Sequence, residues 1–116
     1  MSDFPLFPFP KIREGQKEFL QDVKKAVDEG KHLVAYAPAG IGKTAAALTS
    51  CLECGLQNSK TVFFLTSKRT QHRIAIETLR KMNESGSTPT AVDIIAKHAM
   101  CIRKEAKNIQ AGFNEW

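Results

Sequence analysis

Apolar residues recur every three or four positions in several stretches of this chain, a spacing that predicts amphipathic helices. Such a pattern covers about residues 14–30, which end in a glycine, and about residues 70–83. An alanine-rich helix is predicted at residues 42–54, closed by Gly55, and a weaker pattern predicts a helix at 102–110. The apolar face of the helix at 14–30 comprises Phe19, Leu20, Val23, Ala26 and Val27. The apolar face of the helix at 70–83 comprises Ile74, Ala75, Thr78, Leu79 and Met82.

Short apolar runs lie between these helices, and they predict buried strands at residues 33–37, 61–66 and 90–95. Ahead of the first helix, phenylalanine and proline alternate at residues 4–10, which disfavours helix and predicts an extended, docked arm. Because strands that alternate with helices usually pair in parallel, we expect an α/β fold with a parallel sheet flanked by helices.

Composition and charge narrow the class of protein. With 116 residues, the chain can bury one modest core. Its formal net charge of +5 favours anionic partners such as nucleotides or nucleic acid. No apolar run approaches the roughly 20 residues that span a bilayer, and the N-terminus lacks a signal-peptide pattern. We therefore expect a cytoplasmic, nucleoid-associated protein, or a nuclear one in a eukaryote, with no membrane partner. The cysteine count of 3 argues against a disulfide framework.

The stretch LVAYAPAGIGKTAAAL, at residues 33–48, places a glycine loop between a predicted strand and a predicted helix. Gly40 and Gly42 can take backbone angles closed to other residues, which lets phosphate oxygens approach the amides at the positive end of the helix. Lys43 would reach the β- and γ-phosphates, and the Thr44 hydroxyl would bind Mg²⁺. The alternative is an ordinary glycine turn with a surface lysine. The predicted nucleotide-binding residues here are Ala37, Pro38, Ala39, Gly40, Ile41, Gly42, Lys43 and Thr44, with Lys43 and Thr44 as candidate catalytic residues.

This loop resembles motif I of superfamily-two helicases, A-x-x-G-x-G-K-T, in which Ala37 is a matching position. Upstream, Arg13 and Gln16 resemble the R-x-x-Q element with which such helicases read adenine, and a glutamine amide offers the donor and the acceptor that this requires. The resemblance implies ATP and Mg²⁺ as cofactors. The alternative for Gln16 is a solvated residue in the first turn of a helix.

Polar and basic residues follow the second predicted strand in the segment TSKRTQ. Ligands bind at the carboxyl ends of parallel strands, and these side chains suit contacts with phosphate. The segment resembles helicase motif Ia, which implies contact with the backbone of single-stranded DNA. The alternative is a solvated helix start capped by Ser67 or Thr70. The predicted DNA-binding residues are Thr66, Ser67, Lys68, Arg69, Thr70 and Gln71.

The cysteines allow two interpretations. Cys51 and Cys54, with His98 and Cys101, have ligand types that suit tetrahedral zinc. Cys51 and Cys54 lie one helical turn apart, however, so we expect them to pack in the core. Cys101 resembles the first cysteine of the iron–sulfur domain of XPD-like helicases. Since a [4Fe–4S] cluster needs four thiolates, we expect one only in a longer parent protein.

The order of these features along the chain resembles XPD-like superfamily-two iron–sulfur DNA helicases of the archaeal type. The resemblance implies a partial RecA-like P-loop NTPase lobe at residues 1–96, with an extended arm at 1–12. It also implies the truncated start of an iron–sulfur insertion at residues 97–116. The partners implied are ATP, single-stranded DNA and the remainder of the helicase, namely its second motor lobe and iron–sulfur domain.

By the same resemblance, the chain would be the ATP-binding portion of a 5′-to-3′ DNA helicase that acts in DNA repair. No D-E-A-H-like acidic pair follows a predicted strand, and Asp93 has no acid beside it. We therefore expect the chain alone to hydrolyse ATP negligibly. The alternatives are a small P-loop nucleotide kinase and a non-catalytic basic module that binds nucleotides or single-stranded nucleic acid.

Overall fold

The computed structural model of this chain describes residues 4–84, 86, 89–96, 100 and 102. The described residues form three helices: α1 at Gln16–Asp28, α2 at Lys43–Gln57 and α3 at Arg69–Glu84. Helices α1 and α3 both pack against α2, which lies between them. These three helices confirm the first three helical patterns, whereas most of the predicted helix at 102–110 lies outside the described residues.

The contact between α1 and α2 contains the first of two apolar clusters. Leu20 on α1 is fully buried and packs with Phe4 from the N-terminal arm and Ala46 from α2. The Ser50 hydroxyl of α2 donates a hydrogen bond of 2.9 Å to the Leu20 carbonyl oxygen, so the polar group in this contact has a partner. The cluster therefore holds both α1 and the arm on the central helix.

The second cluster joins α2 to α3. Leu48 on α2 packs against Ala75 and Met82 on α3, with Leu52 and Leu79 around them. Met82 is fully buried. The three α3 residues belong to the apolar face that the sequence pattern predicted, so local periodicity identified the packed side of this helix.

Helix α2 continues past the predicted stop at Gly55. The glycine lies buried inside the helix, where an added Cβ would stand 3.0 Å from Val62 Cγ2 and 3.1 Å from the Lys60 carbonyl oxygen. The predicted boundary was wrong because this glycine permits a close approach of the returning chain rather than ending the helix.

The N-terminal arm is anchored by a buried carboxylate on α2. Glu53 accepts a hydrogen bond of 3.3 Å from the Leu6 amide and lies 3.7 Å from the Lys24 ammonium. Lys24 also stands over the Phe4 ring, 5.9 Å from its centroid. Because a buried carboxylate needs such partners, Glu53 links the arm, α1 and α2.

The predicted parallel sheet is wrong for the described residues. Residues 33–37, 61–66 and 90–95 contain no β-strand, and no backbone hydrogen bond joins these segments within the described structure. Parallel sheets are normally covered on both faces. Here alternate apolar side chains stay open to solvent, with Tyr36 fully exposed and Leu65 88% exposed. The expectation of a partial RecA-like lobe built on a sheet is corrected accordingly.

The exposed apolar side chains explain why the pattern misled. They alternate along each of the three segments and comprise Val34, Tyr36, Phe63, Leu65, Val92 and Ile94. Alternation of this kind reports local compatibility with a strand, but pairing depends on partners distant in sequence. None of the described helices is long and apolar enough to cross a membrane.

Candidate functional site

The glycine loop runs directly into the N-terminus of α2. Gly40 and Gly42 have φ values of 85° and 87°, a left-handed region that favours glycine, and α2 begins at Lys43. A Cβ added at Gly40 would meet nothing within 4 Å, so space remains open beside the main chain. Amides at a helix N-terminus next to an open glycine turn suit the phosphates of a nucleotide.

The Lys43 side chain folds back over the start of the loop. Its ammonium donates hydrogen bonds of 2.9 Å to the Ala37 carbonyl oxygen and 2.8 Å to that of Pro38. An ammonium has three donors, so one remains for a further acceptor. The loop thus closes into a ring with a positive charge at its opening.

Arg13 and Gln16, at the start of α1, brace the same loop. Arg13 Nη1 donates to the Gly40 carbonyl oxygen at 2.5 Å, and Gln16 Nε2 donates to that of Gly42 at 3.3 Å. The buried Gln16 also accepts a bond of 3.1 Å from the Arg13 amide through Oε1. Both side chains therefore hold loop carbonyls, a bracing role that the sequence reasoning missed because the contacts join residues far apart in the chain.

Gly42→Ala is expected to destabilise the fold more than Gly40→Ala. Both positions have positive φ, and an alanine there costs about 1–2 kcal/mol. Only at Gly42 would the new Cβ lie 2.4 Å from Gln16 Nε2. Displacing that anchored amide should add about 1 kcal/mol. Urea unfolding of the two variants measures the difference.

A Gln16→Ala background supplies the control for this comparison. Removing the glutamine side chain removes the close contact, so the gap between the two alanine variants should shrink. If Gly40→Ala and Gly42→Ala lower the free energy of unfolding equally in the unmodified chain, the contact between Gln16 and Gly42 is contradicted.

Thr44 and Ile41 complete the surroundings of the loop. Thr44, half-buried in the first turn of α2, directly follows Lys43. Ile41 is also half-buried, and its Cδ1 would stand 3.3 Å from a Cβ at Gly15. The loop residues fit the phosphates of a nucleoside triphosphate, and the Thr44 hydroxyl could supply an oxygen ligand to an accompanying Mg²⁺.

The second predicted site lies at the start of α3. The Thr66 hydroxyl donates to Gln71 Oε1 at 2.9 Å and accepts from the Lys68 amide at 3.3 Å, so Thr66 orders the turn. Ser67, Lys68, Arg69 and Thr70 are exposed beside it. The six predicted residues thus form one contiguous surface, separate from the glycine loop in sequence.

A cavity of about 620 Å³ adjoins this surface, between α3 and residues 93–96. Its lining includes Arg73, Arg80 and a hydrogen-bonded pair formed by His72 Nε2 and Asp93 Oδ1. The sequence reasoning did not single out Arg73 or Arg80. Their spacing on one helical face is a signal that could have found them.

The two described cysteines lie on α2 as packing residues. Cys54 is buried and Cys51 half-buried. Burial, and secondarily the neighbouring Cys54, raises the pKa of the Cys51 thiol, which favours the protonated form over a metal-binding thiolate. No group of three metal-ligating side chains occurs among the described residues. These residues alone do not fit an iron–sulfur cluster, and the predicted ligand Cys101 and the zinc candidate His98 lie outside the described residues.

Comparison with known proteins places this geometry in a family. The model of the ResIII family, described as the type III restriction enzyme, res subunit, matches residues 9–111. Since the match covers most of the chain, including the glycine loop and the start of α3, the chain belongs to the ResIII family.

Two relatives narrow the resemblance. A probable ATP-dependent helicase of Methanocaldococcus jannaschii is 35% identical over 60 residues, which cover 52% of this chain and 9% of the relative. The general transcription and DNA repair factor IIH helicase subunit XPD/RAD3 of Saccharomyces cerevisiae is 40% identical over 50 residues, which cover 42% of this chain and 6% of the relative. These similarities confirm the resemblance to a fragment of an XPD-like helicase. No solved structure shows a significant match to the chain.

Proposed function

We propose that this chain is the ATP-binding portion of an ATP-dependent DNA helicase. The observation that carries the proposal is the glycine loop, whose two left-handed residues open directly into α2 beside the Lys43 ammonium. Membership of the ResIII family and the two helicase relatives support it. The matched segments cover 9% and 6% of those relatives, and the helicase activity in this proposal is that of a longer parent protein.

In this proposal the loop binds the triphosphate of ATP. Main-chain N–H groups between Ala37 and Thr44 donate hydrogen bonds to the phosphate oxygens. The Lys43 ammonium turns from the Ala37 and Pro38 carbonyl oxygens toward the β- and γ-phosphates. The Thr44 hydroxyl would hold the Mg²⁺ that accompanies the nucleotide. Hydrolysis of the bound nucleotide supplies the energy for strand movement in the parent.

Arg13 and Gln16 would couple the adenine side of the nucleotide to the loop. Both side chains already contact loop carbonyls, at Gly40 and Gly42. Gln16 engages one N–H and its Oε1 within the protein, and its amide has a second N–H and a second oxygen lone pair for the adenine edge. The base and the loop would then share Gln16 as a contact.

The start of α3 would hold the DNA backbone. Residues 66–71 offer hydroxyl, amide and cationic groups, and such contacts position a strand without reading its sequence. A role in DNA repair is proposed for the parent because one relative is named as a DNA repair helicase subunit. Movement in the 5′-to-3′ direction is proposed from the resemblance to XPD-like helicases. Its location would be cytoplasmic, or nuclear in a eukaryote.

Two regions are assigned within the same proposal. Residues 1–96 would belong to the first motor lobe, with residues 1–12 as its arm, and residues 97–116 would begin an iron–sulfur insertion. Cys101 would supply one of the four thiolates that a [4Fe–4S] cluster requires, with the rest coming from the parent chain. The second motor lobe would be a partner of this part.

Titration of the purified chain with Mg·ATP tests the proposal. We expect weak, saturable binding that depends on Mg²⁺, with negligible release of phosphate, because no described residue supplies an acidic pair beside the loop. Absence of saturable binding would contradict the proposal.

Two other outcomes favour the alternatives. Transfer of phosphate from ATP to a small acceptor indicates a nucleotide kinase. Binding of single-stranded DNA without any binding of ATP indicates a basic nucleic-acid module.

A further inference from the structure

The groove between α3 and residues 93–96 has walls of different chemical character. The cavity, of about 620 Å³, is lined from α3 and the preceding turn mainly by cations, with one apolar residue, Ile76, among them. Ile94 and Ile95 line it from the other segment. The cations are Lys68, Arg69, Arg73 and Arg80. Ile94 is 75% exposed. A row of cations therefore faces an accessible apolar surface across an open groove.

The three arginines share one face of α3. Arg69, Arg73 and Arg80 are separated by four and seven positions, which places them within about 40° of one another around the helix axis. They extend about 16 Å along that axis. This row continues the predicted DNA-binding surface at residues 66–71 in one direction.

The charges in the groove do not cancel. Glu77 lies 3.6 Å from Arg73, and Asp93 is hydrogen-bonded to His72, so both carboxylates of the lining have a partner. Within the described part of the chain, no carboxylate pairs with Lys68, Arg69 or Arg80. The groove therefore keeps an excess of positive charge that favours an anionic ligand.

The pair formed by His72 and Asp93 joins the two walls. His72 lies on α3 and Asp93 lies on the opposite segment, which carries Ile94 and Ile95. This contact holds the apolar wall next to the arginine row, so the groove is a product of tertiary packing.

We infer that this groove binds the backbone of a single-stranded nucleic acid, with Arg73 and Arg80 as contacts beyond residues 66–71. A strand presents successive phosphates, which a row of arginines can engage, while its sugars can contact the apolar isoleucine side chains. The inference rests on the proposed function for its choice of ligand. Because phosphates carry no sequence information, the groove binds strands of different sequence similarly.

Binding of a fluorescein-labelled twelve-nucleotide oligothymidylate, followed by anisotropy over a series of salt concentrations, tests the inference. Loss of one phosphate contact lowers the slope of log K against log salt by about 0.7 and weakens binding about fivefold at 0.1 M salt. We expect that change for Arg80→Gln, a smaller change for Arg73→Gln because Glu77 lies 3.6 Å from Arg73, and the sum of the two slope changes for the double variant. Circular dichroism verifies that each variant is folded.

Lys25→Gln is the matched control, since Lys25 is an exposed cation on α1, away from the groove. The inference is overturned if Lys25→Gln weakens binding as much as the groove variants, which indicates a general charge effect. It is also overturned if polyglutamate displaces the oligonucleotide at equal charge concentration, which indicates a site for acidic polypeptides.

Mg·ATP titration of the same variants separates the two proposals. If the variants bind ATP normally and bind the oligonucleotide as tightly as the unmodified chain, only the inference about the groove is overturned. If the groove variants lose oligonucleotide binding, the assignment of the groove to nucleic-acid binding is supported. This holds even if the unmodified chain does not bind ATP, a result that contradicts the proposed function.

Discussion

Lys43→Ala is expected to weaken the binding of Mg·ATP by about 10-fold to 100-fold, because hydrogen bonds to a charged group contribute about 1.5–3 kcal/mol. Lys43 carries the positive charge at the opening of the glycine loop and stands 2.9 Å from the Ala37 carbonyl oxygen. Isothermal titration calorimetry of the variant and of the unmodified chain measures the loss of affinity for Mg·ATP.

Two measurements isolate the role of the lysine charge. Lys60→Ala removes an exposed lysine beyond the C-terminal end of α2 and should leave ATP affinity unchanged. The unfolding midpoint of Lys43→Ala should stay close to that of the unmodified chain, because Lys43 is exposed and its acceptor at Pro38 is open to water. Unchanged ATP affinity in Lys43→Ala contradicts the assignment of the loop to phosphate binding.

Leu20→Ala is expected to lower the free energy of unfolding by about 2–5 kcal/mol, the cost of a cavity at a fully buried leucine. Leu20 has no exposed surface and joins Phe4 to Ala46 in the cluster between the arm, α1 and α2. A small domain is stable by only about 5–15 kcal/mol, so this one substitution removes a large share. Urea denaturation followed by circular dichroism measures it.

Leu56→Ala is the matched control for this variant. Leu56 also lies in a helix, α2, but is 53% exposed. The two variants make the same chemical change within a helix, so the difference between their free energies of unfolding reports mainly burial. If the two substitutions lower the free energy of unfolding by similar amounts, the packing of the first apolar cluster described above is contradicted.

The helices could be predicted because their causes are local. The apolar face of α3 follows from spacing alone, and Ala75, Leu79 and Met82 meet α2 as that spacing requires. The backbone conformation of the glycine loop could also be predicted, since Gly40 and Gly42 take the positive φ values that the motif needs. At Gly55 the same local reasoning failed, because close packing against Val62 explains that glycine better than a helix end.

The contacts that shape the candidate sites could not be predicted in the same way. The bond from Arg13 to the Gly40 carbonyl oxygen and the pair formed by His72 and Asp93 join residues 27 and 21 positions apart. No periodic pattern of residues in the sequence indicates either contact. They are known only once α1 lies beside the loop and residues 93–96 lie beside α3.

The sequence by itself determined the three helices and the residues of the glycine loop, because periodicity, helix propensity and glycine backbone freedom act within a few residues. The tertiary structure alone decided that residues 33–37, 61–66 and 90–95 form no sheet in the described chain, and that α3 and residues 93–96 enclose a basic groove. The physical reason is that strand pairing and groove formation require partners that are distant in sequence.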